Sequence, residues 1–152
     1  MDSERSQKPA RIVVGVDGSE QSQLALRWAA QLAPCLDCRI EAVIAWLYPS
    51  IYGFAIPNGW DPGHDAQTSL EDAVDAAFDG ARPKGLQLLV RQGLPAKVLL
   101  DAGVGARMLI VGSRGHGGFA GLLLGSVSSV VAEHAHCPVL VVHPASTPDL
   151  TA

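Results

Sequence analysis

The chain has 152 residues, 48% hydrophobic and 17% charged, which suits one compact domain with a sizeable core and leaves no room for two. A formal net charge of -4, a sequence pI near 5.6 and no Lys/Arg cluster argue against a nucleic-acid or anionic-membrane surface. No apolar run reaches membrane-spanning length, and the polar stretch Met1 to Lys8 is neither a signal peptide nor an anchor, so a soluble cytoplasmic protein is expected.

Residues 1–9 read as a disordered tail, 10–144 as the domain and 145–152 as a second tail. Arg11 to Val16 is β-branched and apolar, the pattern of a central buried strand, and runs into the turn Asp17-Gly18-Ser19. Ser19 with Glu20 begins a helix whose apolar stripe passes through Leu24, Leu26, Trp28, Ala29 and Leu32, closed by Pro34. Arg39 to Leu47 is the second strand, with Ile40, Val43 and Ile44 in the core.

Tyr48 to Gln67, rich in Pro, Gly and aromatics, reads as a long loop, either a lid over a site or a partly disordered insertion. The second helix is expected over Thr68 to Ala81, capped by Thr68 or Ser69 and ended by Gly80 and Pro83. Leu86 to Arg91 is the third strand, Ala96 to Ala102 the third helix, and Arg107 to Val111 the fourth strand. A helix over Gly125 to His136 and a strand over Pro138 to His143 complete the pattern. Strands alternating with helices through short links imply a parallel sheet covered on both faces.

Two small clusters read as structural. Cys35-Leu36-Asp37-Cys38 follows a helix end, where the dipole opposes thiolate formation, and three cysteines are too few for a disulfide framework. His134 and His136 are two apart and diverge on a helix, so no metal site is expected there; helix-end histidines favoured by the dipole explain them.

The stretch from Leu109 to Val131 is chemically the most informative. Gly112 ends a buried strand, and Gly115, Gly117, Gly118 and Gly121 follow before Gly125-Ser126 opens a helix. Glycines allow positive φ and let backbone N–H groups approach a ligand, and the helix start adds free donors and the positive end of a dipole. Phosphate binds well at such a place, although glycine-rich loops also occur as plain mobile turns. A Walker A loop is excluded because no Gly-Lys-Ser/Thr follows the glycines. Gly115 to Ala120 fits a loose dinucleotide G-x-G-x-x-A pattern, a weak match this late in the chain and without the usual acidic residue on a following strand.

Gly112-Ser113-Arg114-Gly115, nine residues, then Gly125-Ser126 reproduces a G-x2-G-x9-G-[S/T] signature, and with it the chain resembles the ATP-binding branch of the universal stress protein family. The likeness extends over almost the whole chain: Ile12 to Ser19 resembles that family's first strand and acidic turn, Gly93-Leu94-Pro95 its turn before the third helix, and Cys137 to Val142 its last strand. The resemblance implies a three-layer α/β sandwich, Rossmann-like or adenine nucleotide alpha hydrolase-like, with a five-stranded parallel sheet of order 3-2-1-4-5. Asp17 and Gly112 then flank one crevice where the winding reverses.

The resemblance also implies roles. Gly15, Val16 and Asp17 end the first strand at the nucleotide, with Asp17 accepting from a ribose hydroxyl or an adenine amino group; its plain alternative is a turn-forming Asp. Val111, Gly112, Ser113 and Gly115 bring backbone amides to ribose and phosphates. Gly125, Ser126, Val127 and Ser128 hold the terminal phosphates, where Ser126 also suits a helix cap. Arg114 and His116 either add charge to the phosphates or are solvated loop residues. Ala45 and Trp46 end the second strand at the adenine pocket; Trp46 is larger than the residue of some relatives and either stacks on adenine, crowds it, or is a core aromatic.

No catalytic residue is assigned. The implied function is an ATP-binding, nucleotide-responsive regulatory module of the stress response, with magnesium as an accompanying ion for which Asp61, His64 and Asp65 are weak candidates. One alternative is slow ATP hydrolysis or self-phosphorylation involving Asp17, His116 or Ser126. Another is a protein-interaction module with incidental nucleotide binding, a homodimer joined through the edge strand Val139 to His143.

Overall fold

A computed structural model describes residues 8–49, 57–115 and 124–145. The elements run β1 (Ala10–Gly15), α1 (Glu20–Cys35), β2 (Cys38–Trp46), α2 (Pro62–Phe78), β3 (Gln87–Gln92), α3 (Pro95–Ala102), β4 (Met108–Gly112), α4 (Ser126–His134) and β5 (Val139–Val142). Their five strands form one parallel sheet in the order β3-β2-β1-β4-β5, as the resemblance implied.

The strand sequences explain the layering. Alternate residues of a strand face opposite sides of the sheet. Ile12 and Val14 of β1, Ile40, Ala42 and Ile44 of β2, and Ile110 of β4 join Leu26 of α1 and Leu70 of α2 in one core. Val13, Val43, Leu109 and Val111 pack on the other face with Leu99 of α3 and Val131 of α4. Both faces are therefore covered, which is why these strands read as continuous apolar runs. Ile12, Leu26, Leu70, Leu109 and Ile110 are fully buried, each worth roughly 1.5–3 kcal/mol of apolar burial.

Predicted ends mostly lie within a residue or two of the observed ones, with three informative differences. First, α2 begins at Pro62, not Thr68, because Asp61 caps it by accepting from the His64 amide at 3.2 Å and Pro62 takes a first-turn position. The expected long loop thus loses its last residues to the helix, and Asp61, His64 and Asp65 stand at a helix start. Residues 50–56 of that stretch lie outside the described set. The helix stops at Phe78 because Asp79 (φ 49°) and Gly80 (φ 81°) turn left-handed, so Ala81 is outside it.

Second, α1 passes through Pro34 to Cys35; a proline one residue from the end removes only a terminal hydrogen bond. Third, α4 ends at His134, with Ala135 already extended (ψ 145°), so His136 is not on the helix at all. Pro138 favours extended backbone just before it and helps to stop the helix.

The amino end of the sheet holds a charged cluster that periodicity did not reveal. Glu41, only 7% exposed, pairs with Arg39 at 2.9 Å and Arg11 at 3.4 Å. Arg11 also donates to the Ala102 and Val104 carbonyls, tying the α3–β4 turn to the start of β1. The three cysteines are free. The Cys137 thiol is pushed up by burial, an effect that Arg11 partly offsets. Among the described residues no helix is long and apolar enough to cross a membrane, and no group of three or more His, Cys, Asp or Glu could hold a metal ion.

Candidate functional site

The sheet order places the carboxyl ends of β1 and β4 side by side with their connections leaving in opposite directions, the arrangement that opens a crevice in an α/β fold. A cleft of about 310 Å³ lies there. Its β1 wall is Gly15, Val16 and Asp17. Gly15 is glycine because a Cβ would come within 2.8 Å of the Leu99 side chain. The Val16 amide donates to the Val43 carbonyl at 2.9 Å, carrying the ladder one residue past the strand.

Asp17 is exposed, and its Oδ1 accepts from both the amide (2.9 Å) and the hydroxyl of Ser19. Ser19 in turn caps α1 by accepting from the Ser22 amide. The turn-forming role expected for Asp17 is thus present. It leaves Oδ2 against Gly115, where a Cβ on residue 115 would overlap that oxygen.

The β4 wall is built around Ser113, which is buried. Its amide donates to the Val142 carbonyl at 2.8 Å, and its carbonyl accepts from the Gly125 amide at 2.7 Å and the Ser128 hydroxyl at 2.8 Å. These bonds join the end of β4 to the start of α4. A third tie comes from α1: Gln21 Oε1 accepts from the Ser113 hydroxyl and the Arg114 amide, each at 2.8 Å.

Glycine serves the described part of the glycine-rich stretch differently from expectation. Gly112, Gly115 and Gly125 do not adopt positive φ. What Gly112 and Gly115 need is the absence of a Cβ, since one on Gly112 would come within 2.8 Å of Gln21 Cβ and 3.3 Å of its carbonyl carbon. Gly117, Gly118 and Gly121 lie outside the described residues, as does His116.

Gly125, not Ser126, is the N-cap of α4 (φ -71°, ψ 172°), so the helix starts without a side-chain cap and Ser126 is exposed at its first position. The cap alternative for Ser126 is therefore corrected. A helix start that no side chain fills presents its first-turn N–H groups and positive dipole end to whatever occupies the cleft. Gly125 to Ser128 all line it.

Of the other candidates, Ala45, Val111, Gly112, Arg114 and Gly115 line the cleft, whereas Ser113 is buried outside its lining. Trp46 does not line it. Its neighbour Ala45 packs with the α3/α4 face while Trp46 packs with the α1/α2 face, against Gly63 and edge-to-face with Tyr48 at 5.2 Å between ring centroids. Of the alternatives for Trp46, the core aromatic describes its packing.

Unassigned from sequence were Val43, which two-residue periodicity from Ala45 points to, and Pro95 and Leu99, which close the apolar side from α3. Ser19 and Ser22 of α1 also line the cleft and were missed as wall residues. The resulting site is apolar against β2 and α3, and has Asp17 and Arg114 as its charged lining residues. It ends on a helix start, a layout that suits a ligand with an apolar ring at one end and an anion at the other.

Residues 9–143 match the model of the Universal stress protein family. The chain is 33% identical over 141 residues to a universal stress protein of Mycobacterium tuberculosis (strain ATCC 25618 / H37Rv), covering 87% of this chain and 47% of that one. It is 31% identical over 139 residues to one from Mycolicibacterium smegmatis, with the same coverage. The chain thus spans about half the length of the curated relatives it matches. Among solved structures, a universal stress protein in complex with cAMP superposes with a TM-score of 0.65 at 28% identity, covering 89% of this chain and 97% of that one. A universal stress protein from Archaeoglobus fulgidus in complex with dAMP does so with a TM-score of 0.60 at 25% identity, covering 88% and 97%.

Proposed function

Because the chain belongs to the universal stress protein family, we propose that its cleft binds an adenine nucleotide, with ATP as the ligand, and that the domain is a nucleotide-responsive regulatory module of the stress response. The observation that carries this reading is that one cleft is lined by the start of α4, which no side chain caps, by Asp17 at the end of β1, by Gly112 at the end of β4 and by Gly115 after it. Adenine would lie against Val43, Ala45, Pro95 and Leu99, ribose beside Asp17, and phosphates along Gly112, Gly115 and the α4 amides. A volume of about 310 Å³ falls at the small end of ligand sites, which run from about 300 to 1,000 Å³. Adenine nucleotides held by two similar structures support an adenine nucleotide as the class of ligand. Any magnesium would arrive with the phosphates.

Equilibrium dialysis against ATP, AMP and cAMP tests the reading. ATP is expected to bind with Kd below about 1 mM, which corresponds to about -4 kcal/mol. No binding at millimolar nucleotide ends the proposal. Phosphate release followed in the same samples decides the slow-hydrolysis alternative, which falls if release is no faster than in buffer.

A homodimer is the second part of the reading, and the specific observation is β5. Val139–Val142 pairs with β4 on one side, and among the described residues no strand pairs with its other edge. Val139, Leu140 and Val141 are only half-buried. Pairing with a second copy would satisfy the open backbone groups and cover these side chains. Light scattering should return about twice the 15.9 kDa chain mass; a single-chain mass at the concentrations used for binding counts against it.

A further inference from the structure

Gln21 has no role in the nucleotide reading above, yet it spans the two halves of the site. It stands on the first turn of α1, the turn that Ser19 caps and that Asp17 anchors through Ser19. Its side-chain oxygen reaches 92 and 93 residues along the chain to accept from the Ser113 hydroxyl and the Arg114 amide. Because the Arg114 N–H can only donate, the amide must present its oxygen here, and the Ser113 hydroxyl then donates to it as well. Gly112 lacks the Cβ that would push this side chain away. One helical turn therefore holds Asp17 on the β1 side of the cleft and Ser113 and Arg114 on the β4 side.

We infer that Gln21 is a positioning residue: its paired hydrogen bonds latch Ser113 and Arg114 to α1 and set the direction in which the chain leaves β4, so that Arg114 and Gly115 face the ligand. Without this acceptor, a buried Ser113 hydroxyl and the Arg114 N–H must find other partners, and residues 113–115 shift to reach them. The consequence for affinity rests on the nucleotide reading; the latch itself does not.

Gln21→Met keeps the length and helix preference of the side chain and removes the acceptor. Gln21→Glu keeps an acceptor. Amide hydrogen exchange on nucleotide-free protein reads the latch at Arg114, and dialysis against ATP reads its effect on binding. Gln21→Met should speed exchange of the Arg114 amide about tenfold or more and weaken ATP binding by about fivefold to twentyfold. Gln21→Glu should retain slow exchange. Equal Arg114 exchange in Gln21→Met and the parent, or an unchanged ATP affinity with the amide released, overturns the inference. If the parent protein binds no ATP, the nucleotide reading fails while Arg114 exchange still decides the latch. Should Gln21→Met not fold, Ser113→Ala removes the hydroxyl arm alone and is expected to weaken ATP by about twofold to fivefold; unchanged affinity there overturns the inference equally.

Discussion

Gly112→Ala is expected to lose about 1–3 kcal/mol of stability and at least about tenfold in ATP affinity. The added Cβ would sit 2.8 Å from Gln21 Cβ and 3.3 Å from the Gln21 carbonyl carbon. The second of these is helix backbone, fixed by its own hydrogen bonds, and cannot swing aside as a side-chain end can. Relief requires α1 to move off β4, which loosens the core that Leu26 and Ala29 share with Ile110 and stretches the Gln21 bonds to Ser113 and Arg114. Both losses have one origin, so they should appear together. Urea unfolding and ATP dialysis on the same preparation check this; an alanine protein as stable as the parent would show that the helix is not held where the structure puts it.

Gly115→Ala should behave in the opposite proportion, losing about tenfold or more in ATP affinity while stability falls by no more than about 1 kcal/mol. The new Cβ would overlap Asp17 Oδ2. Gly115 and Asp17 are both exposed, so the carboxylate can rotate into water with little consequence for the core. It leaves its place beside the cleft, and its bonds to Ser19, to do so. A double-mutant cycle gives the sharper check. If displacement of Asp17 is the cause, adding Gly115→Ala to Asp17→Ala should weaken ATP binding far less than Gly115→Ala does alone. Full additivity would mean that residue 115 acts on the ligand directly and that the contact with Asp17 is incidental.

The contrast between these two glycines also measures how far the site could be read in advance. Their spacing was legible, because G-x2-G-x9-G-S is a local string. The reason each must be glycine was misread as positive φ, since the atoms that exclude a Cβ belong to Gln21 and Asp17, on another part of the chain. Ala45 and Trp46 are a second instance. Both close β2, but pleating turns them to opposite faces, and only the packing of α1 with α2 and of α3 with α4 decides which face looks into the cleft. The start of α2 is different again. Asp61-Pro62 is a complete local start signal, obscured by the Pro- and Gly-rich composition around it.

By itself, then, the order of residues determined the alternation of strands and helices, the buried character of β1, β2 and β4, and the two segments that end at the cleft. These depend on neighbours within a few positions, where apolar period, caps and glycines act. The sheet order came by resemblance and is borne out. Tertiary structure alone decided that Gln21 joins α1 to Ser113 and Arg114, that Glu41 is buried between Arg11 and Arg39, and that Trp46 turns away from the cleft. Each of these is a meeting of groups distant in sequence or a choice between two sides of the sheet, and no local pattern encodes either until the helices have packed.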